Sequence, residues 1–192
     1  MPVPASSIRD PGWLDAQLAA TAARFRLDRP ASVGVLWWYS ASSVLLGPAV
    51  AGFDPALESV VLFLHPDGRV LDARSPERVS ERGPALRVAL AEAVSAVSAA
   101  SGAPEPALWA VATDSLANQV LWAGGSPEEA EDLAASVGAP LPVPRYVRVG
   151  GRLAVRRASC CLIYQAPGEG KCVSCPRQHP DERARRLRAV LG

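Results

Sequence analysis

The four cysteines of this chain lie within sixteen residues, in the spacing Cys-Cys-x10-Cys-x2-Cys. They are Cys160, Cys161, Cys172 and Cys175. Cysteines that form structural disulfides are normally spread through a fold, whereas thiolates gathered in one stretch of sequence are typical of a metal site. We therefore predict that this segment binds metal.

The two halves of the motif differ in what they demand of the backbone. Cys172 and Cys175 form a Cys-x2-Cys turn, which aims two thiolates at one point as both zinc and iron-sulfur sites require. Neighbouring side chains of an extended chain point to opposite faces, so the vicinal pair can share one site only where the backbone bends. A cluster with two irons has a larger ligand shell than one zinc ion, which favours iron-sulfur chemistry. Which cysteine binds which iron stays open at this point.

This segment resembles the C-terminal region of the FhuF-type ferric-siderophore reductases, in which the same cysteine spacing holds a 2Fe-2S cluster. The similarity includes Arg156 and Arg157 before the vicinal pair, the turn Pro167-Gly168, and Pro176 after the last cysteine. It implies that all four cysteines bind the cluster and that the protein reduces siderophore-bound Fe(III) to Fe(II) by one electron. The oxygen donors of a siderophore hold Fe(III) far better than Fe(II), so reduction releases the iron.

Four basic residues flank the cysteines. A cluster with four thiolates is negatively charged, so nearby positive charge and N–H···S bonds favour its reduced form. We predict a role in cluster tuning or substrate approach for this group, against the alternative of solvated surface charges. Its members are Arg156, Arg157, Lys171 and Arg177.

Two other functions fit the cysteine motif. One is a binding module that zinc stabilises, which the Cys-x2-Cys half supports. The other is a 2Fe-2S electron carrier or redox sensor that does not act on siderophores. The sequence lacks a Walker A motif, a dinucleotide-type glycine loop and a Ser-His-Asp pattern. For the reductase we therefore expect a ferric siderophore and a separate electron donor, protein or diffusible, as partners.

Composition narrows the class of protein. A chain of 192 residues with 49% hydrophobic residues can bury a sizeable core as one domain. The net charge of +1 gives no reason to expect nucleic-acid binding. The first thirty residues lack the pattern of a secretory signal, and a reducing compartment keeps thiols free for metal. We expect a cytoplasmic protein, with peripheral attachment at the inner face of the membrane left open.

Residues 31–53 carry no charge and are long enough to span a bilayer. This stretch also contains three glycines, a proline and four serines, and its hydrophobicity is modest for a membrane span. We predict a buried helix that breaks near Gly47-Pro48, and not an integral membrane protein.

The hydrophobic periodicity predicts an α+β fold, a helix-rich single domain with short antiparallel β-hairpins and a C-terminal iron-sulfur segment. We expect a scaffold over residues 1–144 and a cluster-binding segment over 145–192. Further helices are predicted over residues 11–26, 84–100, 106–122, 126–138 and 180–191. Hairpins are predicted for residues 60–64 with 70–72, and for 146–149 with 153–155, the second leading towards Cys160.

Several other polar residues are weaker candidates for a functional role. His65 and His179 are expected at a turn and on the surface, since four cysteines complete a ligand set without them. Asp114 and Asn118 lie one helical turn apart and either pair or face a cleft. The last helix is basic, which indicates a solvated face or a dock for an acidic electron donor or an anionic chelate. Its arginines are Arg183, Arg185, Arg186 and Arg188.

Overall fold

Two apolar helices cross the centre of the fold side by side. α2 (Pro30–Leu45) and α5 (Glu105–Trp122) bury most of their residues against each other and their neighbours. The Trp38 indole donates to the Leu108 carbonyl at 2.9 Å, and Ser42 and Ser115 share a hydrogen bond of 2.8 Å. Because the contacts advance in the same direction along both helices, α2 and α5 run parallel. Every buried side-chain nitrogen or oxygen at this contact has a hydrogen-bond partner, as is usual in a protein core.

The computed structural model describes residues 1–192 and has the predicted mixed α+β class. The remaining helices are α1 (Pro11–Phe25), α3 (Gly47–Val50), α4 (Arg82–Ser101), α6 (Pro127–Val137) and α7 (Pro180–Leu191). The strands are β1 (Pro2–Pro4), β2 (Val61–Leu64), β3 (Val70–Arg74), β4 (Tyr146–Val149) and β5 (Arg152–Val155).

Local signals explain several of the helix ends. The Asp10 carboxylate accepts from the backbone N–H groups of Gly12 and Trp13 and so caps the start of α1. Ser126 and Glu129 form a reciprocal capping box at the start of α6. Gly102 ends α4 with a φ of 70°, a conformation that costs glycine little.

The uncharged stretch is a core helix with the expected break. Pro30–Val50 is long and apolar enough to cross a membrane, with a mean hydropathy of 1.3, but 67% of it is buried inside the fold. The helix ends at Leu45 and resumes as the short α3. Gly34 lets α2 approach α4 closely, because a Cβ atom there would lie 2.1 Å from the Ser101 hydroxyl. A buried helix of this kind does not indicate an integral membrane protein.

Two small antiparallel sheets complete the fold. Both predicted hairpins form, with β2 paired to β3 and β4 paired to β5. A third strand, β1, adds to the edge of the first sheet and pairs with β2. The sequence did not predict β1, because two of its three residues are prolines, which strand patterns disfavour but an edge position tolerates. β5 ends at Val155, five residues before the first cysteine.

Candidate metal centre

The chain bends sharply at the vicinal cysteines. Leu162, directly after Cys161, has φ 62° and ψ 8°, a left-handed conformation that is uncommon for a residue with a branched side chain. Such a conformation costs about 1–2 kcal/mol relative to the right-handed one. The backbone therefore changes direction immediately after the vicinal cysteines.

The four sulfur-bearing side chains gather in one place. The Sγ atoms of Cys160 and Cys175 lie 3.5 Å apart, and Cys161 contacts both Cys160 and Cys172. None of the four is in a disulfide, and three of them are buried. The structure contains no group of three or more His, Cys, Asp or Glu side chains placed to hold one metal ion. The sulfurs instead meet pairwise, each cysteine of the vicinal pair against one of the Cys-x2-Cys turn.

Crowding divides the thiols into one that ionises readily and two that do not. Hydrogen bonds from the Cys160 and Cys172 thiols lower the pKa of Cys161 to about 2. The hydrogen bond to Cys161 and burial hold the pKa values of Cys160 and Cys172 well above their usual range. One thiolate is thus favoured in the protein alone, because further negative charge in this small volume repels it. Ionising Cys160 and Cys172 beside the Cys161 thiolate therefore needs additional positive charge at the site.

The Asp114 carboxylate anchors the chain that enters the site. Its oxygens accept from the backbone N–H groups of Ala158 at 2.8 Å and Ser159 at 3.1 Å. They also accept from Nε of Arg157 at 3.3 Å. Burial raises the pKa of the Asp114 carboxyl, and the two N–H groups and the Arg157 charge oppose that shift. Helix α5 therefore holds the backbone immediately before the first cysteine.

Arg157 connects this anchor to the sulfurs. Its side chain is 3% exposed, and Nη1 lies 3.6 Å from Cys172 Sγ. The guanidinium carbon stands 4.7 Å from the centre of the Tyr39 ring, a cation–π contact. The buried Nη2 has no hydrogen-bond partner. A buried donor without an acceptor costs about 1–3 kcal/mol, and an iron-sulfur cluster brings the sulfur acceptors that this donor lacks.

Side-chain amides fix the rest of the loop. Gln178 is buried and donates from Nε2 to the carbonyls of Cys172 at 2.7 Å and Val173 at 3.1 Å. Its Oε1 accepts from Arg186 of α7 at 2.8 Å. Ser32, in the first turn of α2, bonds to Gln165 at 2.6 Å. The loop thus has polar attachments on both sides of the sulfurs.

The other predicted residues lie farther from the sulfurs. Arg156 is exposed and faces α7, on the opposite side of the chain from Arg157. Lys171 donates to the Arg177 carbonyl at 2.8 Å, and Arg177 itself is exposed. His179 caps α7 through the Asp181 N–H, and His65 lies in the turn before β3. Only Arg157 among the flanking basic side chains contacts a cysteine sulfur.

Sequence reasoning undervalued two residues of this site. Asp114 was expected to pair with Asn118 or face a cleft, but the Asn118 amide donates only to the Asp114 backbone carbonyl. The Asp114 carboxylate turns towards the cysteine segment instead. Tyr39 follows Trp37 and Trp38 in the chain, and its ring lies under Arg157 while the two tryptophans are buried. The feature of the sequence that could have indicated the role of Asp114 is that it is a lone aspartate within an apolar helix.

The donor set fits an iron-sulfur cluster. Two thiolates on one tetrahedral metal, each bonded at about 2.3 Å, lie about 3.8 Å apart, close to the 3.5 Å between Cys160 and Cys175. Residues 157–177 match the model of the FhuF 2Fe-2S C-terminal domain. The segment is an FhuF-type 2Fe-2S domain. The match spans all four cysteines and Arg157, and it identifies the cofactor as a 2Fe-2S cluster. A comparison of the chain with curated proteins gives no match.

Proposed function

We propose that this FhuF-type protein is a ferric-siderophore reductase that releases iron in the cytoplasm. The observation that carries the proposal is the match of residues 157–177 to the FhuF 2Fe-2S domain, on a segment whose cysteine side chains lie in contact, Cys160 with Cys175 and Cys161 with Cys172. The FhuF family is associated with ferric-siderophore reduction. The absence of disulfides among the four cysteines agrees with a reducing compartment.

In this proposal the four cysteines are the cluster ligands. The observed contacts favour one iron between Cys160 and Cys175 and the other between Cys161 and Cys172. Residues 1–144 act as the scaffold, and residues 145–192 form the cluster-binding segment.

Arg157 is the residue that we propose tunes the cluster. Its guanidinium is held between Asp114 and Tyr39, so the charge cannot move away from the Cys172 sulfur. Positive charge at this distance stabilises the more negative, reduced form and raises the midpoint potential. Exposed Arg156, Lys171 and Arg177 have a smaller electrostatic effect, because water and salt screen them.

The reaction needs positioning rather than acid–base catalysis. When bound, the cluster supplies one electron at a time, and one electron converts the chelated Fe(III) to Fe(II). The protein keeps the sulfurs partly enclosed, since Cys160, Cys161 and Cys175 are buried and Cys172 is half-buried. An electron donor, protein or diffusible, restores the reduced state.

The first experiment identifies the cofactor. The protein is purified anaerobically, and iron, sulfide and zinc are quantified with visible spectra before and after dithionite. We expect about two irons and two sulfides per chain and a red-brown spectrum that bleaches on reduction. Stoichiometric zinc in a protein that stays colourless after reconstitution with iron and sulfide would overturn the proposal in favour of a zinc-stabilised module.

The second experiment separates a reductase from an electron carrier or sensor. The dithionite-reduced protein, freed of excess reductant, is mixed with a ferric siderophore and an Fe(II)-specific dye. We expect the cluster to reoxidise as one Fe(II) appears per electron. The same ligand loaded with Ga(III), which has no accessible lower state, is the control and leaves the cluster reduced. Reoxidation by oxygen alone, with no Fe(II) formed from the chelate, would contradict the reductase function.

A further inference from the structure

An open groove of about 420 Å³ lies between the β4–β5 hairpin and α7. Its floor is apolar, with Val155 and Leu187 buried beneath it. Four arginines line the groove, and no acidic residue does. They are Arg148, Arg156, Arg183 and Arg188.

None of these four arginines has a carboxylate partner, whereas several other arginines of the chain do. Arg9, Arg24, Arg69, Arg74, Arg157, Arg185 and Arg186 all form ion pairs. In the groove, Arg148 donates only to the Gly151 carbonyl. Negative groups near the lining include Glu128 and Glu131, whose charge acts on the Tyr146 hydroxyl, and the C-terminal residue Gly192, which packs against Gly150. Four arginines without an ion-pair partner around one concave surface still favour a locally positive potential.

The residues that line the groove lie directly before and directly after the cysteines in the sequence. Arg156 lines the groove, and the next residue, Arg157, contacts the Cys172 sulfur. Pro180 lines it from the other side, five residues after Cys175. The groove and the cysteine site are therefore contacted by consecutive residues of the chain, Arg156 and Arg157.

We propose that this groove binds the ferric chelate, and that it selects chelates with a net negative charge, such as tris-catecholates. The inference rests on the proposed reductase function for the identity of the ligand. A tris-catecholate complex of a trivalent metal carries three negative charges, which complement the arginines, while its flat rings pack on the apolar floor. A tris-hydroxamate complex is uncharged at its metal centre and gains little from the same arginines.

The test compares two Ga(III) chelates of similar size, a tris-catecholate trianion and a neutral tris-hydroxamate. Isothermal titration calorimetry on the cluster-loaded protein gives both dissociation constants. We expect the trianion to bind at least tenfold more tightly, with an affinity that falls as salt is raised from about 0.02 M to 0.3 M. Equal affinity for the two chelates would overturn the inference.

Two triple variants show where the trianion binds. The groove variant carries Arg156→Gln, Arg183→Gln and Arg188→Gln. The control variant carries Arg69→Gln, Arg74→Gln and Arg185→Gln, which removes the same number of charges from exposed, ion-paired positions. We expect at least a tenfold loss of trianion affinity in the groove variant only, with the cluster spectrum unchanged in both. An equal loss in the two variants would show a general charge effect and no groove site.

Binding of Ga(III) chelates does not depend on electron transfer, so the two proposals fail in different ways. Groove-dependent binding of the trianion by a protein that forms no Fe(II) would support the inference and contradict the reductase function. Turnover of ferric chelates with no preference for charge and no effect of the groove variant would do the reverse.

Discussion

The helical core and the cysteine segment of this protein are held together by different forces. Between α2 and α5, side chains such as Trp38, Leu108 and Leu116 are at most 1% exposed, and apolar contact dominates. Residues 156–178 contain only one short 3-10 turn, and their attachments to the scaffold include polar ones such as the Asp114 carboxylate and the Ser32 hydroxyl.

This difference follows from what each region must do. Apolar packing is non-directional and tolerates small shifts, so it suits a scaffold. Hydrogen bonds and ion pairs fix particular atoms, which a cluster site needs because its ligands must keep their positions during redox change. Damage to the core should therefore lower global stability, while damage to the segment should act mainly on the cluster.

Replacing a cysteine should distinguish the two regions most clearly, because it should remove the cluster and leave the helical core folded. We expect Cys172→Ser and Cys175→Ser each to abolish the cluster or weaken it severely, because a hydroxyl is a poor iron ligand in a thiolate site. The far-ultraviolet circular dichroism of the helices should stay close to that of the wild type. Visible spectra and iron content measure the first effect, and a full-strength cluster in either variant would refute the ligand assignment.

A change at Asp114 should affect both regions, because this residue belongs to the core helix α5 and its carboxylate holds the cysteine segment. Asp114→Ala leaves the Arg157 charge buried and two backbone N–H groups unpaired. We expect a loss of about 3–5 kcal/mol in the free energy of unfolding, together with loss of cluster. Chemical denaturation measures this, and Asn118→Ala on the same helix is the control. Similar losses in both variants would show that Asp114 has no special role.

A cavity in the core should lower stability without touching the cluster. Leu116 is 1% exposed on α5, and Leu116→Ala should cost about 2–5 kcal/mol through lost burial and the cavity left behind. In the fraction that remains folded, the cluster spectrum should match that of the wild type. A changed spectrum at full iron content would mean that core packing sets the cluster geometry.

The sequence predicted the scaffold well because its signals are local. The predicted break at Gly47-Pro48 acts within a few residues and is present in the structure, and the caps at Asp10 and Ser126 are equally local. The 2Fe-2S character of the cysteine segment was also predictable, since the cysteine spacing and the FhuF resemblance are explicit in the chain. The Asp114 anchor was not, because its partners Ala158 and Ser159 are backbone groups more than forty residues away and leave no pattern in the sequence.

The flanking arginines show the same limit. Arg156 and Arg157 look equivalent in sequence, yet the strand-like alternation of the chain sends one outward to α7 and the other inward to Asp114. Which of the two contacts sulfur depends on the register of β4 and β5 against α5. That register is a tertiary property. The sequence therefore indicated the group of flanking basic residues but not which of them contacts a sulfur.

Replacing Arg157 should shift the redox equilibrium of a cluster that still forms. Arg157→Gln removes the positive charge beside Cys172, so the reduced form loses stabilisation and the midpoint potential should fall. We expect the ratio of reduced to oxidised cluster at a fixed potential to drop about tenfold, a shift of about 59 mV for one electron. Redox titration followed by visible absorption measures it. Exposed Arg177→Gln is the matched control, and equal shifts in the two variants would remove Arg157 from its tuning role.

The smallest effect should come from the single hydroxyl that ties the loop to the core. Ser32→Ala removes the 2.6 Å bond to Gln165, and a hydrogen bond of this kind contributes about 0.5–1.5 kcal/mol. Because the segment is held by several independent polar contacts, this loss should appear as faster amide exchange over residues 163–170 while α2 keeps its protection. Ser43→Ala removes a hydroxyl that bonds only within α2 and is the control. If Ser32→Ala instead lowers protection throughout α2, the loop and the core unfold as one unit, and the distinction between an apolar scaffold and a polar, separately held segment does not hold.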